Sequence, residues 1–182
     1  MKSEDAAALL APAIESPGGA WADFGAGDGT FTRALAELLG PNGTVYAVDR
    51  DADAVAALER WAATASTRVI PVAADFARSF DPPGPGELRF DGMLFANSLH
   101  FISDAEQVLA RLVAWLKPGG RVVVVEYDRR GASRWVPYPI SIADLPALTR
   151  AAGLSAASVV ATRPSMYGGA FYVAVADRPP DA

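Results

Sequence analysis

Hydrophobic positions along this chain switch repeatedly between two spacings. Compact apolar runs occur at Ala20 to Phe24, Thr44 to Val48, Arg68 to Ala73, Gly92 to Ala96 and Val122 to Val125. Each has the length and β-branched or aromatic content of a strand. Between them apolar residues recur every three or four positions. Phe31, Ala34, Leu35, Leu38 and Leu39 make one helical stripe, Val55, Leu58 and Ala62 a second, and Val108, Leu109, Leu112 and Leu116 a third. Strands alternating with helices predict an α/β fold with a parallel sheet. The unbroken Val122–Val125 run suits a strand covered on both faces.

Punctuation residues set the expected boundaries. Gly40-Pro41-Asn42-Gly43 stops the first helix, and Lys117-Pro118-Gly119-Gly120 is expected to stop the third. Ser103 and Glu106 have the spacing of a capping box ahead of that third helix. Asp81 to Gly86 is too rich in proline and glycine for a helix or central strand. A capped helix is expected from Ser141 to Gly153. The last two strand-like runs, Ser158 to Thr162 and Phe171 to Ala176, leave no room for a helix between them, so they should pair antiparallel. One domain over residues 1–182 is expected, with a short N-terminal helix within 1–19 and a frayed tail at 178–182.

The chemically informative stretch is Asp23-Phe24-Gly25-Ala26-Gly27-Asp28-Gly29, between the first strand and the first amphipathic helix. Three glycines at alternate positions leave a turn of bare backbone against which a ligand can lie. The free N–H groups and dipole of the helix that follows point into the same space. Asp49, twenty positions after Gly29, ends the next strand, where a carboxylate can accept both hydroxyls of a ribose. Asp75 ends the third strand on the same expected sheet edge. These residues predict a nucleoside-containing cofactor.

Composition narrows the chemistry. The 182 residues are 51% hydrophobic and 20% charged, an ordinary globular balance. No cysteine is present, which removes disulfides, thiol nucleophiles and thiolate metal sites. A single histidine, His100, cannot build a multi-histidine metal site, and no metal is expected. A formal net charge of −5 argues against a nucleic-acid partner. No apolar run approaches a membrane span and no signal-peptide core is present, so a cytoplasmic protein is expected.

With these landmarks in order, the chain resembles the class I S-adenosylmethionine-dependent methyltransferases from about Trp21 to Ala176. The resemblance rests on the Asp23–Gly29 turn, Val48-Asp49, Ala74-Asp75-Phe76, Phe90 to Phe101, Leu116 to Gly120 and the closing strand pair. It implies a Rossmann-like three-layer sandwich whose seven-stranded, mostly parallel sheet has its last strand antiparallel. It further implies that Gly25, Ala26, Gly27 and Gly29, with Phe24 in the same segment, wrap the methionine part and the 5′ side of the nucleoside. Asp23 would orient the turn and hold the methionine ammonium, and Asn97 would offer its backbone carbonyl nearby. Asp49 would bind the ribose, Arg50 would lie beside the adenine, and Asp75 and the Phe76 N–H would meet the adenine edge.

The activity so implied is methyl transfer from S-adenosylmethionine, leaving S-adenosylhomocysteine, to an acceptor of undetermined atom. Because the sulfonium is already activated, the protein's task is mainly alignment and exclusion of water. His100 is a candidate base or orienting group, weighed evenly against a packing role, and Tyr127 and Tyr138 are candidate pocket residues, as are Trp135 and Tyr167. Arg129, Arg130 and Arg134 form a short basic cluster that could meet an acidic substrate or simply be solvated. No Asn-Pro-Pro-aromatic run follows the fourth strand, and Lys2 and Lys117 are the only lysines, which points away from nucleic-acid and protein acceptors toward a small molecule. Two alternatives stay open: an NAD(P)-dependent oxidoreductase, against which the dinucleotide glycine position is filled by Thr30, and a non-catalytic protein that binds the adenosyl cofactor.

Overall fold

The computed structural model describes residues 1–82, 88–128, 131–164 and 169–180. Helix α1 (Ser3–Leu10) and a 3-10 turn (Ala11–Ala13) precede β1 (Gly19–Phe24), α2 (Thr30–Leu39), β2 (Gly43–Asp49), α3 (Ala52–Ala62) and β3 (Arg68–Ala73). The second half contains β4 (Phe90–Ala96), a 3-10 turn (Leu99–Phe101), α4 (Ala105–Val113), β5 (Leu116–Tyr127), α5 (Leu145–Ala151), β6 (Ser158–Pro164) and β7 (Ala170–Asp177). The seven strands form one sheet in the order β3-β2-β1-β4-β5-β7-β6. β7 runs antiparallel to both its neighbours, and the other pairings are parallel. The expected Rossmann-like sheet is therefore present. β1 feeds β2 on one side and lies beside β4 on the other, which opens a crevice at their carboxyl ends.

Side-chain alternation explains why the sheet is buried twice. Met93, Phe95, Val122 and Val124 face a core with Leu109 and Leu112 of α4 and Leu145 of α5. Leu94, Val123 and Val125 face the opposite core with Leu10 of α1 and Phe31, Leu35 and Leu39 of α2. All four valines of the Val122–Val125 run are buried, each stabilising by about 1.5–3 kcal/mol relative to exposure. The α2 stripe buries Phe31, Ala34, Leu35 and Leu39, with Leu38 only half-buried.

Four boundary expectations are corrected. Helix α4 ends at Val113, and Lys117-Pro118-Gly119-Gly120 lies in a bulged start of β5, where Leu116 pairs with Phe90 and the register shifts before Gly92 meets Arg121. Arg178 braces this end: its guanidinium donates to the Val113 and Leu116 carbonyls, and its backbone pairs with Gly119 and Gly120, supplying partners for carbonyls that the helix end leaves free. For the same reason Arg178 is not frayed; Pro179 and Pro180 are exposed, and the last two residues lie outside the described set. The capping box does not close: Asp104 occupies the cap position without a side-chain bond. Finally, α5 starts at Leu145 rather than Ser141, because Pro146 in its first turn cannot donate to a preceding carbonyl; a Ser141–Asp144 turn leads into it. The loop expected at Asp81–Gly86 falls largely outside the described residues.

Candidate functional site

The carboxyl ends of β1, β2, β3 and β4 meet at the glycine turn. Gly25, Gly27 and Gly29 all take positive φ, +85°, +51° and +78°. At Gly25 a Cβ would sit 2.5 Å from Ser98 Cβ, and at Gly29 it would sit 2.6 Å from Leu58. Gly25 is required both by conformation and by space, whereas Gly29 is favoured by its conformation, its close neighbours being the mobile ends of Leu58 and Arg33. Gly25 and Ala26 donate to the Val48 carbonyl at 2.8 and 3.0 Å, which ties the turn to β2.

Asp49 sits at the end of β2 against this turn. One of its oxygens accepts the Gly27 N–H at 2.7 Å and the other the Asp51 N–H at 2.9 Å. Each carboxylate oxygen keeps a second lone pair for a ligand. Asp51, not Asp49, caps α3. Asp75 accepts from the Ala77 N–H at 3.2 Å and lies 3.4 Å from the Arg78 guanidinium. Arg111 donates to the Phe76 and Ala77 carbonyls at 2.8 and 2.9 Å and fixes that turn from behind.

Among the described residues, three buried polar atoms around the turn have no hydrogen-bond partner: Asp23 Oδ1, Asn97 Oδ1 and Ser98 Oγ. Asp23 is 1% exposed and accepts the Thr32 hydroxyl at 2.6 Å through its other oxygen. Burial pushes its carboxyl up from 3.8 to about 7; the Thr32 bond opposes this and the Asp49 charge adds to it. Asn97 adopts φ +55°, the sole non-glycine positive φ among the described residues. A positive φ beside an unsatisfied buried acceptor makes Asn97 a candidate ligand position. Neither feature can be placed from the sequence, since asparagine tolerates the left-handed region but adopts extended and helical backbone equally well.

Two cavities adjoin at Gly25, Gly27 and Asn97. The first, about 390 Å³, is lined by Asp49, Arg50, Asp75, Phe76, Ser98 and Phe101, with Phe101 half-exposed. The second, about 440 Å³, is lined by Asp28, Phe31, Tyr127, Arg163 and Phe171. Both are within the size range of small-ligand sites. A larger recess, about 870 Å³, lies at the opposite ends of the strands. Its charges are already paired, Lys117 with Asp91 and Arg121 with Glu15 and Asp177, so it offers a ligand little.

The structure thus brings Gly25, Ala26, Gly27, Asp49, Arg50, Asp75, Phe76, Asn97 and Tyr127 to one connected space. Phe24 lies fully buried against Phe76, Phe80 and Phe95 instead. His100 lines neither cavity. It is 3% exposed, with Nδ1 2.7 Å from Glu126 Oε2 and its backbone N–H 3.3 Å from Oε1. Tyr138 lies half-exposed beside Pro139 and Ile140 in a separate recess, and Trp135 is 70% exposed against Arg134. Arg129, Arg130 and Tyr167 fall outside the described residues. Phe31, Ser98, Phe101, Arg163 and Phe171 are additional lining residues, hidden in the sequence because their apolar or polar character alone does not say which way they face.

Residues 22–122 match the methyltransferase domain family. Over 113 residues, 62% of this chain, the sequence is 31% identical to the ubiquinone/menaquinone biosynthesis C-methyltransferase UbiE of Bordetella avium; that alignment covers 43% of the relative, so the chain spans less than half the length of the curated protein it matches. Among solved structures, the Burkholderia thailandensis 1,6-didemethyltoxoflavin-N1-methyltransferase, with bound 1,6-didemethyltoxoflavin and S-adenosylhomocysteine, superposes with a TM-score of 0.75 at 27% identity, covering 97% of this chain and 78% of that one. A SAM dependent methyltransferase from Aquifex aeolicus shares the fold, with a TM-score of 0.73 at 20% identity over 95% of this chain and 89% of that one. No helix among the described residues is long and apolar enough to cross a membrane. With its sheet order, its glycine turn and a family match over more than half its length, the chain belongs to the class I S-adenosylmethionine-dependent methyltransferases.

Proposed function

We propose that this chain transfers a methyl group from S-adenosylmethionine to a small-molecule acceptor. The observation that carries this reading is the set of unpartnered buried atoms, Asp23 Oδ1, Asn97 Oδ1 and Ser98 Oγ, around a turn in which Gly25 leaves no room for a side chain. A ligand bearing an ammonium and hydroxyls supplies the donors those atoms lack. Asn97 takes the ammonium, and Asp23, behind the turn, provides its counter-charge. Gly25, Ala26, Gly27 and Gly29 present backbone along the methionine part and the 5′ side. Asp49 accepts the ribose hydroxyls, Arg50 flanks the adenine, and Asp75 with the Phe76 N–H reads its edge. The bound cofactor supplies a methyl group already activated on a sulfonium.

The remaining work is alignment. The two cavities join at Gly25, Gly27 and Asn97, so a nucleophile in the second faces the activated methyl across that junction. Phe31, Tyr127 and Phe171 exclude water on the acceptor side, and holding the partners in line lowers the barrier by several kcal/mol. A base is needed only for an acceptor that must lose a proton. His100, locked to Glu126 away from both cavities, is assigned to packing, and Tyr138 to the surface.

Calorimetry with S-adenosylhomocysteine and with NADH tests the reading. Binding of the first is expected; binding of NADH alone would sink it, and is opposed by Thr30 standing where a dinucleotide site needs glycine. Incubation with methyl-labelled cofactor and a metabolite extract is expected to label a small molecule; cofactor binding with no label transferred would leave a binding protein instead. Asp49→Ala is expected to weaken S-adenosylhomocysteine by about 1–3 kcal/mol, through loss of charge-assisted bonds. An unchanged dissociation constant takes Asp49 out of the ribose role.

A further inference from the structure

The acceptor cavity has a chemical pattern of its own, which rests on the methyl-transfer reading but reaches further. β7 lies between β5 and β6, and Phe171 is in direct register with Tyr127 on one side and with Arg163 on the other. Directly opposed residues in neighbouring strands share a face of the sheet. Tyr127, Phe171 and Arg163 therefore form one row across three strands, with steps of roughly 4.8 Å, and all three line the acceptor cavity.

Two aromatic rings and one cation make up that row. The Tyr127 and Phe171 rings are 4.8 Å apart, and Phe31 of α2 approaches Phe171 at 6.5 Å. Phe31 and Phe171 are buried in the core below, so this aromatic wall is preformed. Arg163 ends the row differently from the other paired guanidiniums. Arg121 holds Glu15 and Asp177, and Arg111 and Arg178 hold carbonyls. Among the described residues Arg163 has no carboxylate partner; its Nη1 lies 3.6 Å from Met1 Sδ. The acidic group in the same cavity, Asp28, belongs to the glycine turn after β1 and has a carboxylate oxygen on the Thr30 N–H at 2.9 Å. In the sheet order β1 and β6 are separated by three strands, so the cavity is polarised, with Arg163 remote from the cofactor end.

We propose that the acceptor is a flat aromatic acid, its ring against Tyr127 and Phe171 and its carboxylate or other anionic group on Arg163. Binding in that sense directs the edge of the ring away from the anion toward Asn97 and the methyl. A guanidinium fork recognises a planar carboxylate in two parallel bonds, which a lysine cannot copy.

The test uses the full chain saturated with S-adenosylhomocysteine, with trans-cinnamate and its neutral twin trans-cinnamamide as probes in calorimetry. Cinnamate is expected to bind about tenfold tighter than the amide, the scale of one charge-assisted contact near solvent. Arg163→Gln should abolish that preference while leaving S-adenosylhomocysteine affinity unchanged, and because Arg163 is exposed the variant is expected to fold normally. Phe171→Leu should weaken both probes together. Equal affinity for the two probes, no binding of either, or a preference that survives Arg163→Gln overturns the proposal while the methyl-transfer reading stands. Failure of S-adenosylhomocysteine to bind overturns both.

Discussion

Replacing Glu126 with alanine is expected to destabilise the protein by several kcal/mol, about 1–3 kcal/mol for each of the two buried groups left without a partner. Glu126 is 1% exposed and its two oxygens hold the Nδ1 and backbone N–H of His100. Removing the carboxylate strands both groups in a region that excludes water, and also leaves a cavity. Against a total of about 5–15 kcal/mol for a domain, that is a large share. Urea unfolding should show a lower midpoint with an unchanged slope. The paired change Glu126→Leu with His100→Phe removes the imidazole along with the carboxylate and should recover part of the loss, leaving only the backbone N–H of residue 100 without its acceptor. If the paired variant also keeps methyl transfer, His100 has no part in the chemistry; a collapse of turnover with intact cofactor affinity would restore it as a candidate base.

The second large effect belongs to Asp23 and depends on pH. Its carboxyl is pushed from 3.8 to about 7, chiefly by burial. A raised folded value means that the neutral form stabilises the ligand-free protein. This contribution is complete below about pH 4 and is lost as pH climbs to about 7, amounting to about 4 kcal/mol over that window. Asp23→Asn removes the titration. At pH 8 the ligand-free variant should therefore be more stable than the parent by about 1–3 kcal/mol, the difference being reduced by an amide N–H that lacks a partner. Near pH 4.5 the order should reverse. Cofactor binding moves the other way, since a ligand ammonium favours the ionised carboxyl. S-adenosylhomocysteine affinity of the parent is expected to rise up to tenfold per pH unit toward pH 7 and then level, while the Asp23→Asn variant binds weakly with a flat profile. Thermal melts and calorimetry at three pH values check both halves, and a parent whose affinity is flat from pH 5.5 to 8 would remove the ammonium role of Asp23.

The two effects differ in how far they were readable from the chain. Asp23 stands in the glycine-turn motif, so its importance was legible, but its charge state was not. That state depends on how completely water is excluded, and exclusion is a property of packed layers. Glu126 gave no sign of its partner. It is 26 residues from His100, inside an apolar strand, where an acid looks like an exception until the 3-10 turn after β4 is laid against it. The acceptor row is a similar case: Tyr127, Phe171 and Arg163 come from three strands and acquire a common direction only through register.

Local interactions set what the sequence determined alone: the strand periods, the alternation that makes a doubly covered parallel sheet, the glycine turn, and the two acids that close β2 and β3. These depend on residues within a few positions of each other, so period and side-chain type suffice. Tertiary structure decided how the end of α4 is braced, by Arg178 reaching back to its carbonyls; how Asn97 is held at positive φ; which polar atoms are left without partners; and which side chains share a cavity wall. Each of those rests on contacts between distant segments, whose geometry exists only once the layers have packed.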